Sequence, residues 1–130
     1  MSKAALVAIV DDDDDVREAL SDLLLVLGLE CRAFDRAEAL LAEFVPGAFD
    51  CIVTDARMPG MSGLQLLRRL RDLDASVPVI IITSDTDSTI RSRALEGGAY
   101  AHLVKPIEDR ILLLHLEFAL SGKWKGSPNG

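Results

Sequence analysis

Five apolar segments of strand length alternate with helical patterns along this chain, and no other feature of the sequence restricts its fold as strongly. Strands that alternate with helices form parallel sheets, and such strands are continuously apolar because helices cover both of their faces. The predicted strands lie near residues 4–10, 30–34, 49–54, 77–83 and 100–104, and the predicted helices near residues 16–27, 37–44, 62–73, 88–96 and 107–120. The sequence therefore predicts an α/β protein with an open, doubly wound parallel sheet.

The length and charge of the chain limit its size class and its direct partners. A chain of 130 residues is long enough for one domain with its own core. We expect that domain to span residues 1–121, followed by a linker-like tail, residues 122–130. The net charge of −7, without any basic cluster, argues against direct contact with nucleic acid.

Three features favour a cytoplasmic location without contact to a membrane. No apolar stretch approaches the roughly 20 residues that a membrane-spanning helix needs. Met1, Ser2 and Lys3 lead directly into the first strand, without the cleavage site of a secretory leader. Cys31 and Cys51 both fall in predicted strands, and we expect free thiols rather than a disulfide or a metal site.

Five consecutive aspartates, Asp11 to Asp15, follow the first predicted strand directly. Crowded carboxylates raise one another's pKa and resist ionising together, so a nearby cation stabilises their charged forms. Mg²⁺ is a hard ion that binds one or two carboxylates and retains several waters. Acidic runs are commonly solvated surfaces or tails, but this one lies between a strand and a helix. The run therefore predicts a cation site at the end of the first strand.

Chemically reactive side chains follow four of the five predicted strands. Ligands of an open parallel sheet bind beyond the carboxyl ends of its strands, so these side chains should lie along one edge. Each of them alone has an ordinary structural explanation, but together they suit metal-assisted phosphoryl chemistry. They are Asp11 and Asp12, Asp55, Thr83 and Ser84, and Lys105 and Pro106.

These positions also carry a family resemblance. The chain resembles response-regulator receiver domains of two-component systems over about residues 4–121. The matching motifs are Val10-Asp11-Asp12, Asp55 followed by Met58-Pro59-Gly60-Met61-Ser62-Gly63, Ile82-Thr83-Ser84 and Lys105-Pro106. The resemblance implies a (βα)5 flavodoxin-like fold with strand order 2-1-3-4-5. It also implies a regulatory domain, rather than an enzyme, that accepts a phosphoryl group from the phosphohistidine of a sensor histidine kinase.

The resemblance further implies a role for each acidic residue. Asp55 would be the phosphoacceptor, a carboxylate nucleophile that forms an acyl phosphate. Mg²⁺ would bind Asp12 directly and Asp11 more through water. Asp55 and the main-chain carbonyl of Arg57 would be further ligands. The remaining aspartates would then serve the first helix, where acids at the positive end of the helix dipole are favourable.

The basic and hydroxyl residues acquire roles in the same way. Lys105 would pair with a phosphoryl oxygen, and the Lys105–Pro106 bond is a candidate cis peptide. Thr83 would be the switch hydroxyl, and Ser84 its small neighbour. His102 stands at the position of the switch aromatic, where this family more commonly has Tyr or Phe, and a His there would add sensitivity to pH. Phosphorylation would be read out through these residues and the surface of helix 4, strand 5 and helix 5.

The starts and faces of the helices can also be predicted. Pairs with capping-box spacing precede three helices: Asp15 or a neighbouring aspartate with Glu18, Asp35 with Glu38, and Ser62 with Gln65. The last helix has two apolar stripes. One, which we expect to pack on the sheet, comprises Ile107, Ile111, Leu114 and Phe118. The other comprises Leu112, Leu113, Leu116 and Leu120. We expect it to be a docking surface or the interface of a homodimer through helix 4, strand 5 and helix 5; the alternative is that the tail or a missing domain covers it.

Two alternative functions remain at this point. A phosphatase of the haloacid dehalogenase type would use Asp12 as its nucleophile, and Asp14 and Val16 fit the spacing of its motif. That assignment leaves Asp55 without a role and provides no later acidic pair for the metal. A pseudo-receiver, which binds partners but never takes up phosphate, should lack one of the acidic, Thr or Lys positions. The stretch from Arg57 to Gly63 also resembles receivers that are joined to helix-turn-helix domains, which suggests a role in transcription.

Overall fold

The computed structural model describes residues 5–74, 76–84 and 88–122, and within them the five strands and five helices alternate as predicted. The strands are β1 (Leu6–Val10), β2 (Glu30–Phe34), β3 (Cys51–Asp55), β4 (Val79–Thr83) and β5 (Ala101–Val104). The helices are α1 (Asp14–Val26), α2 (Ala37–Glu43), α3 (Gly63–Leu73), α4 (Ser88–Glu96) and α5 (Asp109–Leu120). No helix in this described part of the chain is long and apolar enough to cross a membrane. The predicted tail from residue 123 onward lies outside the described residues.

All neighbouring strands pair in parallel, in the order β2-β1-β3-β4-β5. Helices α2, α3 and α4 cover one face of the sheet, and α1 and α5 cover the other. Successive strand residues point to opposite faces, so Ala8 and Val10 enter the first core while Val7 and Ile9 enter the second. This double burial explains why the strands are continuously apolar rather than alternating.

The third and fourth strands are shorter than their apolar runs. Phe49 and Val77 are buried but precede the ladders, which begin at Cys51 and Val79. Phe49 packs with its ring centroid 6.3 Å from that of Phe44. An apolar run therefore marks burial, and only part of it needs to form strand hydrogen bonds.

The prediction for the two faces of α5 is wrong, although Ile107, just before the helix, packs against the core as predicted. Leu112 and Leu116 are 2% and 1% exposed and pack in the core, whereas Leu114 and Phe118 are 56% and 44% exposed. Ile111 lies on the outer side with them, and Leu113 and Leu120 are half-buried. Ala119 shares the buried side. Periodicity identifies both stripes, but only the packing of neighbouring elements decides which one is buried.

One of the three predicted capping boxes is formed. Gln65 N donates to Ser62 Oγ at 3.1 Å, and Ser62 N donates to Gln65 Oε1 at 2.9 Å. The N-cap of α1 is Asp13 rather than Asp15, and its carboxylate accepts from the main-chain N–H of Asp15. The N-cap of α2 is Arg36, without a side-chain hydrogen bond, so the box of Asp35 and Glu38 is also absent.

Both cysteines are free thiols, as predicted. Cys51 lies in the central strand β3 and is fully buried, and this burial raises its pKa to about 12. Cys31 in β2 is half-buried, and its Sγ lies 3.5 Å from Ser21 Oγ.

Candidate functional site

Three carboxylates meet at the carboxyl edge of the sheet, beyond β1 and β3. Val10 and Thr54 are partners in the ladder, so the next residues, Asp11 and Asp55, end neighbouring strands side by side. Asp11, Asp12 and Asp55 each offer one oxygen, and these oxygens lie within 4.8 Å of one another. The structure therefore brings together the three acids that were predicted as metal ligands. Hard carboxylate oxygens at this spacing fit a small divalent cation.

Asp11 is the buried member of this group, with 2% exposure. Its Oδ1 accepts from Asp13 N at 2.9 Å, and its Oδ2 accepts from Lys105 Nζ at 3.3 Å. Burial raises the pKa of Asp11 and the neighbouring charge of Asp55 adds to this effect, which outweighs the opposing hydrogen bonds and Lys105. The fold therefore resists ionisation of Asp11, and a cation at this position would relieve that resistance.

Lys105 supplies the positive charge of the site. Its Nζ lies 3.0 Å from Asp55 Oδ2, in addition to its contact with Asp11. Burial lowers the pKa of Lys105, but hydrogen bonds and charge from Asp55 and Asp11 outweigh this and raise it, so the amine is charged. The peptide bond between Lys105 and Pro106 is cis, as predicted.

Asp55 ends β3 with both carboxylate oxygens in contact with donors. Oδ1 accepts from Arg57 N at 3.1 Å, while Oδ2 accepts from Lys105. The main chain of Arg57 is therefore next to the carboxylate, although the predicted role of its carbonyl stays a prediction. These two donors fix the orientation of the Asp55 carboxylate at the edge of the sheet.

Gly63 is a site residue to which the sequence assigned no role. A Cβ on this residue would clash with the main-chain oxygen of Asp55 and would lie 3.0 Å from the Cα of Ala56. Gly63 N also donates to Ala56 O at 3.0 Å, which closes the loop between β3 and α3. The sequence hints at this constraint only because Gly63 directly follows the helix cap Ser62, a position at which glycine is not among the favoured residues.

The predicted switch residues occupy the neighbouring strands. Asp55 pairs in register with Ile82, so the buried Thr83 follows at the same edge, and Ser84 beyond it is exposed. His102 on β5 is half-buried, and its Nε2 is buried without a hydrogen-bond partner among the described residues. Burial, assisted by the positive charge of Arg91, lowers the pKa of His102 and favours the neutral ring.

Two cavities adjoin the site and differ in character. One, of about 510 Å³, lies between α1 and the segment after β5, and apolar side chains line most of it. Its lining includes Val16, Leu20, Lys105, Pro106 and Ile107. The other, of about 620 Å³, is an acidic cleft whose lining includes Asp12, Asp14, Asp35, Arg36 and Glu38. The site is therefore flanked by an apolar groove on one side and an acidic cleft on the other.

Comparison with known proteins relates the whole described domain to one family. A family model described as "Response regulator receiver domain" matches residues 7–117. The chain is 40% identical over 114 residues to the transcriptional regulatory protein FixJ of Rhizobium meliloti, an alignment that covers 87% of this chain and 55% of FixJ. It is 39% identical over 112 residues to nodulation protein W of Bradyrhizobium diazoefficiens, which covers 86% of this chain and 49% of that protein. The chain thus spans about half the length of the curated relatives it matches.

Solved structures agree with this relationship. The crystal structure of FixJ-N is similar with a TM-score of 0.80 and 35% sequence identity, covering 93% of this chain and 97% of that one. The BeF3-activated DrrB receiver domain is similar with a TM-score of 0.84 and 27% identity, covering 92% of this chain and 99% of that one.

Proposed function

Because this chain belongs to the response-regulator receiver family of two-component systems, we propose that Asp55 accepts a phosphoryl group from the phosphohistidine of a sensor histidine kinase in a Mg²⁺-dependent reaction. The observation that carries this proposal is the position of Asp55 between the acids Asp11 and Asp12 and the amine of Lys105. This arrangement presents a carboxylate nucleophile beside a cation site and a positive charge. The chain then acts as a regulatory domain rather than as an enzyme.

The chemistry can be written in terms of the residues that surround Asp55. A carboxylate oxygen of Asp55 bonds to phosphorus while the bond from phosphorus to the histidine nitrogen breaks, and that nitrogen keeps the electron pair. Asp11, Asp12, Asp55 and the Arg57 carbonyl would hold Mg²⁺, which offsets negative charge on the phosphoryl group. Lys105, which contacts Asp55 Oδ2, exchanges this contact for a phosphoryl oxygen.

The apolar groove beside Lys105 is suited to the kinase. Val16 and Leu20 of α1 and Ile107 after β5 form apolar walls of a groove that Lys105 also lines, and Lys105 contacts Asp55. A helix of the kinase that carries the phosphohistidine can bury an apolar stripe in such a groove. The kinase would thus dock next to Asp55 without covering it.

We further propose that Thr83, Ser84 and His102 transmit the phosphorylated state. Thr83 ends the strand next to β3, so its hydroxyl can turn toward a phosphoryl oxygen on Asp55, and the Ser84 main chain can contact another. The Nε2 of His102 has no hydrogen-bond partner among the described residues, so this ring atom is free to gain one in another position of the ring. Helix α4 buries only Ile90 and Ala94, which suits an element that shifts between two positions.

The phosphatase alternative receives less support from this geometry. Its nucleophile would be Asp12, which is exposed, whereas both carboxylate oxygens of Asp55 accept from donors, Arg57 N and Lys105 Nζ. Incubation with acetyl phosphate and Mg²⁺, followed by peptide mass mapping, tests the proposal. We expect one stable phosphoryl group on the peptide that contains Asp55. Continuous release of phosphate that depends on Asp12, without label on Asp55, would favour the phosphatase, and no labelling at all would favour a pseudo-receiver.

The acids of the run should differ sharply in their effect on Mg²⁺. Asp12→Asn removes a proposed direct ligand and should weaken Mg²⁺ binding by at least about 10-fold, since even outer partners of metal ligands contribute 10- to 100-fold. Asp14→Asn should change Mg²⁺ binding by less than about 2-fold, because the Asp14 side chain is 88% exposed and is not one of the three clustered acids, and the amide oxygen of Asn can still accept from Arg17. Isothermal titration with MgCl₂ measures both variants. Equal loss of affinity in the two variants would contradict this division of the run.

We also propose a homodimer through α4, β5 and α5, on a corrected set of residues. The exposed apolar side chains of this face are Ile111, Leu114 and Phe118 of α5, Val104 of β5 and Leu95 of α4. We expect light scattering to detect a dimer of the protein phosphorylated with acetyl phosphate, and Leu114→Glu to abolish it. Leu25→Glu is the control, since Leu25 is 66% exposed and belongs to α1, which is not one of the three elements of this proposed interface. If the wild-type protein is monomeric both with and without phosphorylation, the proposed dimer is wrong.

The relative FixJ is named a transcriptional regulatory protein, and by analogy we propose that this receiver also regulates transcription. The net charge of −7 disfavours direct contact of this segment with DNA. The regulation would therefore act through another domain or a partner protein.

A further inference from the structure

Arg17 of α1 reaches back across the loop that joins β1 to α1. Its Nη1 donates to the main-chain oxygen of Asp11 at 2.6 Å, and its Nη2 pairs with the carboxylate of Asp14. The Arg17 side chain is 19% exposed although it belongs to the most acidic segment of the chain. One guanidinium thus connects the residue after the strand to the first turn of the helix.

These contacts fix the main chain on both sides of Asp12. On one side, Asp11 donates its N–H to Phe34 O at 3.1 Å and has its carbonyl bound by Arg17. On the other side, Asp13 donates its N–H to Asp11 Oδ1 and caps α1 with its own carboxylate. Asp12 is therefore the central residue of a short loop with few ways to move. Mg²⁺ requires near-ideal octahedral geometry, so its affinity depends on how well such a loop is fixed.

We propose that Arg17 is a positioning residue for the acidic pair, which holds Asp11 and Asp12 in the geometry of the cation site through its two-pronged contact with Asp11 O and Asp14. This inference rests on the proposed Mg²⁺ site. The alternative role for Arg17 is to offset the negative charge of the aspartate run. The two roles predict opposite effects on Mg²⁺ binding when the guanidinium is removed.

The sign of the change decides between these roles. If Arg17 only balances charge, its removal leaves the site more negative and Mg²⁺ binds more tightly. If Arg17 positions the loop, its removal lets Asp11 and Asp12 leave the binding geometry and Mg²⁺ binds more weakly. Arg36 provides a matched control, because it lines the same acidic cleft as Asp12 and pairs with Asp35 at 3.3 Å. It carries the same charge, and none of the hydrogen bonds described above that fix the loop involves it.

The experiment is isothermal titration of the whole chain with MgCl₂. Arg17→Met keeps an unbranched apolar side chain and removes the guanidinium with its charge and donors. We expect its Kd for Mg²⁺ to rise about 10-fold, a loss typical of residues that orient metal ligands. Arg36→Ala should leave the Kd unchanged or lower it. A Kd for Arg17→Met that is equal to or below that of the wild-type protein overturns the proposal.

Arg17→Lys and amide exchange complete the test. Lysine keeps the charge but lacks the planar fork that contacts two acceptors at once. The Kd of Arg17→Lys for Mg²⁺ should therefore lie between those of the wild-type protein and Arg17→Met. A Kd equal to that of wild type would overturn the two-pronged contact. In metal-free protein, hydrogen exchange at the amides of Asp12 and Asp13 should become faster in Arg17→Met, and unchanged exchange there would also contradict the proposal. Wild-type protein that binds no Mg²⁺ would instead refute the proposed cation site, while the exchange measurement would still report on Arg17.

Discussion

Asp55→Asn is expected to abolish phosphoryl labelling by acetyl phosphate and Mg²⁺. The amide of Asn is neutral and a poor nucleophile, so we expect a loss of at least about 1,000-fold, which corresponds to about 4 kcal/mol of barrier. The substitution nearly preserves shape, and the amide oxygen can still accept from Arg57 N. The variant should therefore fold, and its circular dichroism should match that of the wild-type protein. Labelling is measured by intact-protein mass spectrometry.

The control for this experiment is Asp35→Asn. Asp35 lines the acidic cleft beside the site, but it is not one of the three clustered acids Asp11, Asp12 and Asp55. Its loss removes the same charge and should leave labelling within about 2-fold of wild type, since exposed charges contribute little. A label that persists in Asp55→Asn, and maps to the peptide containing Asp12, would mean that the phosphoacceptor is misassigned.

Gly63→Ala is expected to destabilise the protein by about 3 kcal/mol or more, since overpacking of this kind costs 1–3 kcal/mol and occasionally more. The added Cβ would clash with Asp55 O and would lie 2.9 Å from Asp55 C. These atoms belong to the backbone of β3, so no side-chain rotation can relieve the clash. Because domains are stable by only about 5–15 kcal/mol, this loss should lower the urea midpoint strongly.

Gly28→Ala separates this clash from the general effect of losing a glycine. Gly28 has a φ of +76°, and a Cβ on this residue would meet no atom within 4 Å. The variant should therefore lose only the free energy of placing an alanine in the left-handed conformation, about 1–2 kcal/mol. Urea unfolding of the two variants side by side gives the difference. If Gly63→Ala were no less stable than Gly28→Ala, the close approach of α3 to Asp55 would not be a steric constraint.

The sequence was sufficient for the architecture because burial on both faces leaves continuous apolar strands, and these are visible in the pattern from Val79 to Thr83. The order of the strands came from the family resemblance rather than from the pattern. The convergence of Asp11, Asp55 and Lys105 followed from a property of parallel sheets, since the carboxyl ends of the strands share one edge.

Features that depend on three-dimensional packing could not be predicted in this way. The two stripes of α5 are equally apolar, and Leu116 is buried rather than Leu114 because of what lies beneath the helix. The cap of α1 is Asp13 because that residue has the extended backbone of an N-cap, and five identical side chains in a row cannot reveal which one does. The contact of Gly63 with Asp55 involves backbone atoms, which leave no pattern of side chains in the sequence.

The buried thiol of Cys51 can report on the opening of β3, the strand that ends in Asp55. With a pKa of about 12 and no exposed surface, this thiol is neither ionised nor reachable at neutral pH in the folded protein. An alkylating reagent can modify it only when β3 opens. In a Cys31→Ser variant, Cys51 is the sole thiol, and its rate of alkylation would report how often the strand that ends in Asp55 separates from its neighbours, under native conditions and without any attached dye.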